Sequence, residues 1–143
     1  MNVDIIIRIM KEADLEQVIQ LREKVFNSAF SKHSVTKEVL INYLKRNPEI
    51  SSVACTLEGK IIGALFCGHD GIRGFIYHIA VYDEYGIKRI GKMMIKRSLV
   101  ELKKVGINAG FIFTQNSNFD LEESWNSLGW IVIPDKAYDY EEF

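Results

Sequence analysis

With 143 residues, 48% of them hydrophobic and 26% charged, the chain has the size and balance of one globular domain spanning 1–143, which excludes a disordered or fibrous protein and leaves too little length for two ordinary domains. A formal charge of −1 excludes the net basic surface that phosphate neutralisation requires, so no nucleic-acid partner is expected. The first apolar run is three isoleucines flanked by Asp4 and Arg8, far short of a signal or membrane segment, so a cytoplasmic chain with no membrane partner is expected. Cys55 and Cys67 lie in apolar stretches without CxxC spacing or neighbouring histidines, which argues for reduced core thiols and against a metal site or a disulfide framework.

Residues 4 to 10 read as a strand, and Asp14 followed by Gln17 reads as a capped helix start, with Asp14 as the cap and Gln17 reaching back. Leu15, Val18, Ile19, Arg22, Val25 and Phe26 then carry the helical period. A polar stretch from Asn27 to Ser34 precedes a second helical pattern through Val35, Val39, Leu40, Tyr43 and Leu44, which Asn47-Pro48 ends. Three strand-like runs follow, 52–57, 61–67 and 74–82, joined by tight turns at 58–60 and 69–71. Ile87, Ile90, Met94, Leu99, Leu102 and Val105 recur at helical spacing up to a capping Gly106. Ala109 to Thr114 is a buried strand, 119–128 a further helix closed by Gly129, and 130–133 a last strand. The order β-α-α-β-β-β-α-β-α-β predicts an α/β fold with a mixed, largely antiparallel sheet and helices on both faces, folding by itself or as a small oligomer such as a homodimer.

The turn between strand 74–82 and the helix near Lys88 is the best candidate site. A helix N-terminus offers free amides and a favourable dipole to an anion. From Lys88 to Arg97 there are five basic residues and no acidic one, in a chain of slightly negative total charge. The competing reading is a solvated helix face, with Lys88, Lys92 and Lys96 four apart and Gly86 a simple turn glycine.

The block Ile79-Ala80-Val81 to Gly91-Lys92 resembles the acetyl-CoA motif of the GNAT acyltransferases, a strand ending in an apolar-Ala-Val sequence followed by Arg/Gln-x-x-Gly-x-Gly/Ala at a helix start. Asn118, then Trp125, then Leu128-Gly129-Trp130 resemble that superfamily's later Asn-x-x-Ala-x-x-x-Tyr and Leu-Gly-Phe pattern, and the element order agrees; the last ten residues lie outside the resemblance. Two positions depart: Gly86 stands where the family has Arg or Gln, and Arg89 where it has its first glycine. The Arg89 side chain either crowds a pyrophosphate or donates charge-assisted hydrogen bonds to it.

The resemblance implies an N-acetyltransferase that moves an acetyl group from acetyl-CoA, its cosubstrate, to a primary amine by direct attack in a ternary complex, with no metal. It implies that main-chain groups of Ile79 and Val81 pair with the pantetheine arm, that amides of Ile87, Lys88, Arg89, Ile90, Gly91 and Lys92 hold the pyrophosphate, and that Asn118 bonds a pantetheine amide. By strand alternation Phe75, Tyr77 and Ile79 share one face, and Ile76, His78 and Ala80 the other. In the family the face of Tyr77 looks toward the acceptor, so Tyr77 is the candidate for ordering the amine, although a phenol titrating near ~10 is a poor base. His78 has the better intrinsic pKa and the wrong parity, which suits a core residue. Trp125 takes the place of the usual acid tyrosine; its indole donates a hydrogen bond but not a proton. The acceptor is a small-molecule or peptide amine. Two further readings stay open, a non-catalytic acyl-CoA-binding or regulatory module of the same fold, and a protein-interaction domain whose turn binds no nucleotide.

Overall fold

The computed structural model describes residues 4–26, 36–77, 79–114 and 129–134. Strand β1 is Ile5–Ile9, and a 3-10 turn at Glu12–Asp14 leads into α1, Leu15–Phe26. Asp14 does not cap α1. Its carboxylate accepts from the Lys11 N–H at 2.8 Å and from both terminal nitrogens of Arg8 at 2.9 Å, so it closes the turn before the helix. Gln17 does not reach back either: its side-chain oxygen accepts from the Ile61 N–H at 3.0 Å, satisfying a strand donor across the fold. Helix α2, Lys37–Arg46, is capped by Thr36, whose hydroxyl accepts from the Val39 N–H at 3.2 Å, and it stops at Asn47 before Pro48.

The three expected strands become five. β2 is Ser52–Thr56 and β3 is Ile61–Leu65, joined by the expected tight turn, in which Thr56 N–H donates to the Lys60 carbonyl at 2.9 Å. The run 61–67 breaks at Phe66 to give β4, Cys67–His69, and the run 74–82 breaks at 77–79 to give β5, Gly74–Ile76, and β6, Ala80–Val81. Helix α3 is Ile87–Lys104, followed by β7, Gly110–Thr114, and β8, Trp130–Pro134. Gly106 at φ 86° ends α3, its N–H donating to the Lys103 carbonyl at 3.0 Å. Val105 lies past the last helical turn, 54% exposed, off the buried stripe on which its spacing placed it. The expected polar stretch 27–34 and the helix at 119–128 lie outside the described residues.

Among the described residues the strands form two four-stranded sheets, β1-β2-β3-β6, wholly antiparallel, and β4-β5-β7-β8, in which β5, β7 and β8 run parallel. Alternation, broken where the β2–β3 register shifts between Ala54 and Cys55, divides the core into two layers. Ala54, Ile62, Leu65, Val81 and Ile112 pack with Ile90, Met94 and Leu102 of α3. Val53, Cys55, Ala64, Phe66 and Ala80 pack with Leu15, Val18 and Leu21 of α1 and Leu40 of α2. Helices therefore cover both faces, as the element order implied. Helix α3 is further tied to the start of β2: Ser98 Oγ lies 2.7 Å from Ser52 Oγ, and Arg97 donates to the carbonyls of Glu49 at 2.9 Å and Ser51 at 3.2 Å.

Candidate active site

Between Ile76 and Ile79 the chain slips phase. Three residues apart, these two should face opposite ways, yet both pack in the layer under α3. Tyr77 faces the other layer, its ring 5.9 Å from that of Tyr43 on α2. The alternation that joined Tyr77 and Ile79 on one face is thus overturned between β5 and β6, and His78 lies outside the described residues.

This slip is where the sheet divides. Gly74, Phe75 and Ile76 pair in parallel with Gly110, Phe111 and Ile112, whereas Ala80 and Val81 leave β7 and pair with Ala64 and Gly63 of β3. The N–H of Tyr82 donates to the Ile62 carbonyl at 3.0 Å. By alternation the main-chain groups of Val81, and of Ile79 before it, turn toward the gap between β6 and β7.

At the end of β6 a 3-10 turn, Asp83–Tyr85, brings the chain to Gly86 and then into α3. Gly86 sits at φ 83° and ψ 104°, a region essentially closed to side-chain-bearing residues, and nothing stands within 4 Å of where its Cβ would be. No side chain caps α3, and its first turn holds no acidic residue. The helix's own bonding begins with Ile90 N–H to Gly86 carbonyl at 3.2 Å, which leaves the amides of Ile87, Lys88 and Arg89 outside it. The set of amides expected from 87 to 92 is narrowed accordingly: Ile90 and Gly91 are buried helix residues, and Lys92 offers its charge. Lys88, Arg89 and Lys92 are exposed. Arg97, counted in the sequence among the cations of this helix, is committed instead to the carbonyls of Glu49, Ile50 and Ser51.

On the face away from α3, Tyr77 stands at the mouth of the gap, 40% exposed, its ring stacked 5.3 Å from that of Phe113. Burial raises its pKa, which keeps the phenol neutral. Beside it, burial, reinforced by the neighbouring Cys67 and Tyr77, holds the Tyr43 phenol far above its ordinary range. Sequence reasoning missed Tyr43, Phe111 and Phe113. The Phe-x-Phe spacing of 111–113 was a usable signal, since it repeats the 75–77 spacing in register, but nothing in the sequence singled out Tyr43. Asn118 and Trp125 lie outside the described residues. Among the described residues no group of three or more His, Cys, Asp or Glu gathers as a metal site, and no helix is long and apolar enough to cross a membrane.

Residues 15–130 match the Acetyltransferase (GNAT) family. The chain is 26% identical over 143 residues to Acetyltransferase SG1711 of Sodalis glossinidius (strain morsitans), covering 92% of this chain and 99% of that one. Its fold is similar to that of the paia N-acetyltransferase from Thermoplasma acidophilum in complex with coenzyme A, with TM-score 0.59 and 22% identity over 73% of this chain and 75% of that one. It is similar also to an aminoglycoside acetyltransferase from an uncultured soil metagenomic sample in complex with sisomicin, with TM-score 0.59 and 22% identity over 97% of this chain and 92% of that one. The match spans the division between β5 and β6, the turn at Gly86 and the whole of α3, and with it the chain belongs to the GNAT acetyltransferase family, as an acyltransferase enzyme.

Proposed function

We propose that the chain transfers the acetyl group of acetyl-CoA to a primary amine, of a small molecule or a peptide, by direct attack within a ternary complex. The observation that carries this reading is the division of the sheet, where the free edge of β6 and the uncapped start of α3 meet at one gap. A ligand with an amide-bearing arm and a diphosphate requires main-chain partners for the first and N–H donors beside positive charge for the second. The residues present fit: Gly86 leaves the approach open, and the first turn of α3 carries cations and no carboxylate. Similar folds with coenzyme A or with sisomicin bound support the same cosubstrate and an amine acceptor.

In this reading Ile79 and Val81 hold the pantetheine amides through their main chain, with Asn118 as a further partner. The amides of Ile87, Lys88 and Arg89, with the charges of Arg89 and Lys92, hold the pyrophosphate, while Ile90 and Gly91 seat the helix against the sheet. Acetyl-CoA supplies the thioester that the neutral amine attacks. Tyr77 orders that amine, and as a phenol held neutral it serves as a hydrogen-bond partner rather than a base. Trp125 donates a hydrogen bond where the family has its acid, so water takes the proton the amine loses and passes one to the departing thiolate. Calorimetric titration of CoA into the full chain tests the reading. Binding and a raised melting temperature are expected, and a flat titration at millimolar CoA would end it.

A further inference from the structure

We infer that the acceptor is a primary amine bearing an aromatic ring with a hydrogen-bonding substituent, taken up on an aromatic ledge formed by Tyr43, Phe75, Tyr77, Phe111 and Phe113; the inference rests on the acetyl-transfer reading above. The ledge lies on the sheet face away from α3, at the mouth of the gap. Phe75 stacks on Phe111 at 5.7 Å and 21° and on Phe113 at 6.5 Å and 12°, and Tyr77 stacks on Phe113 at 5.3 Å and 13°. The row ends at Tyr43, whose ring is turned 80° across that of Tyr77.

Exposure separates this row from a core cluster. On the α3 side of the same strands Ile76 and Ile112 are fully buried, whereas Phe75, Phe111 and Phe113 are half-buried and Tyr77 is 40% exposed. Near-parallel rings left partly open offer stacking and edge-to-face contacts to a guest ring, a surface that favours an aryl group over an alkyl chain.

The second observation is polar. The hydroxyl of Tyr43 is, among the described residues, the one buried side-chain oxygen or nitrogen without a hydrogen-bond partner. Native chains leave few such groups, because the lost solvation is not returned. Space is kept for it all the same: a Cβ at Gly68 would collide with that hydroxyl and with the side chain of Asn47. A polar substituent on the guest ring would complete the missing bond.

The test measures thiol release from acetyl-CoA by the full chain with tyramine, phenethylamine and hexylamine. The expected kcat/KM for tyramine exceeds that for hexylamine on the order of 10-fold, from ring contacts and one hydrogen bond. Tyr43→Phe should abolish the preference for tyramine over phenethylamine, a loss of about 3–10-fold, with the melting temperature unmoved or raised, because a hydroxyl without a partner contributes no bond to the fold. Phe75→Leu, which shortens the ledge while keeping bulk, should lower the aryl-over-alkyl ratio. Equal rates across the three amines, no turnover of either aryl amine, or a tyramine preference that survives Tyr43→Phe would each overturn the inference while CoA binding stands. Failure of CoA to bind would overturn the parent reading, and this one with it.

Discussion

Gly86 and Arg89 are the two positions at which the loop departs from its family, and the structure gives one of them a physical reason. At φ 83° and ψ 104° position 86 demands glycine, so the side chain the family places there would cost about 1–3 kcal/mol of backbone strain. Gly86→Ala is therefore expected to lower the melting temperature by several degrees although its Cβ meets nothing, and a melting curve checks it. Arg89 is exposed at the start of α3, so as a phosphate contact screened by water it is worth roughly 1–2 kcal/mol. Arg89→Ala should weaken CoA binding by that amount and flatten its salt dependence, with Arg89→Gly no better; tighter binding by Arg89→Gly, in calorimetry at fixed salt, would show that the side chain crowds the ligand instead. Tyr77→Phe should lower kcat while leaving CoA affinity nearly intact, since the proposed reading gives the phenol to the acceptor and not to CoA.

The elements themselves were largely legible, because long periodic runs such as 87–105 and the turn chemistry at 58–60 and 106 act locally. What escaped was whatever depends on a partner far along the chain. Asp14 looked like a helix cap by its spacing to Gln17, but Arg8 and the Lys11 amide claim it, and Gln17 answers a donor at Ile61. The break within 74–82 carries no glycine or proline, so nothing in the sequence announces it; it exists because β3 and β7 compete for the two halves of one strand. The basic turn at the start of α3 was visible from its charges and glycines, whereas the aromatic face opposite became visible only when the parallel register laid 111 beside 75 and the rings of 77 and 113 together. That register makes a sharp prediction. Gly110 pairs with Gly74 so closely that a Cβ would run into the Gly74 backbone, so Gly110→Ala should unpair β5 from β7 at a cost of more than ~3 kcal/mol, read by denaturant unfolding.

For the whole molecule, the pH dependence of stability follows from what is buried. Burial pushes up the Cys67 thiol and the Tyr43 and Tyr77 phenols, so the unfolded chain releases these protons at lower pH than the folded one does. Stability is therefore full below the ordinary thiol value and falls as pH rises past about 8.5, then further past about 10. Asp14 acts in the opposite window. Its burial opposes ionisation, but hydrogen bonds from Arg8 and the Lys11 amide prevail and leave its pKa below the ordinary value. Its contribution is present at neutral pH and is lost as pH drops below about 4. Urea midpoints measured from pH 3 to 10.5 should form a dome with both shoulders, and a profile flat up to pH 10.5 would contradict the burial of these groups.

The phase slip at 77–79 also has a meaning in the language of insertions and deletions. Ile76, Tyr77, Ile79, Ala80 and Val81 already sit on the faces that a strand one residue shorter would give them. With position 78 deleted the alternation of these side chains would be continuous, so β5 and β6 are expected to join into one strand and CoA binding, read by calorimetric titration, to weaken. The length of the strand, rather than any particular side chain, then decides where it changes partner from β7 to β3.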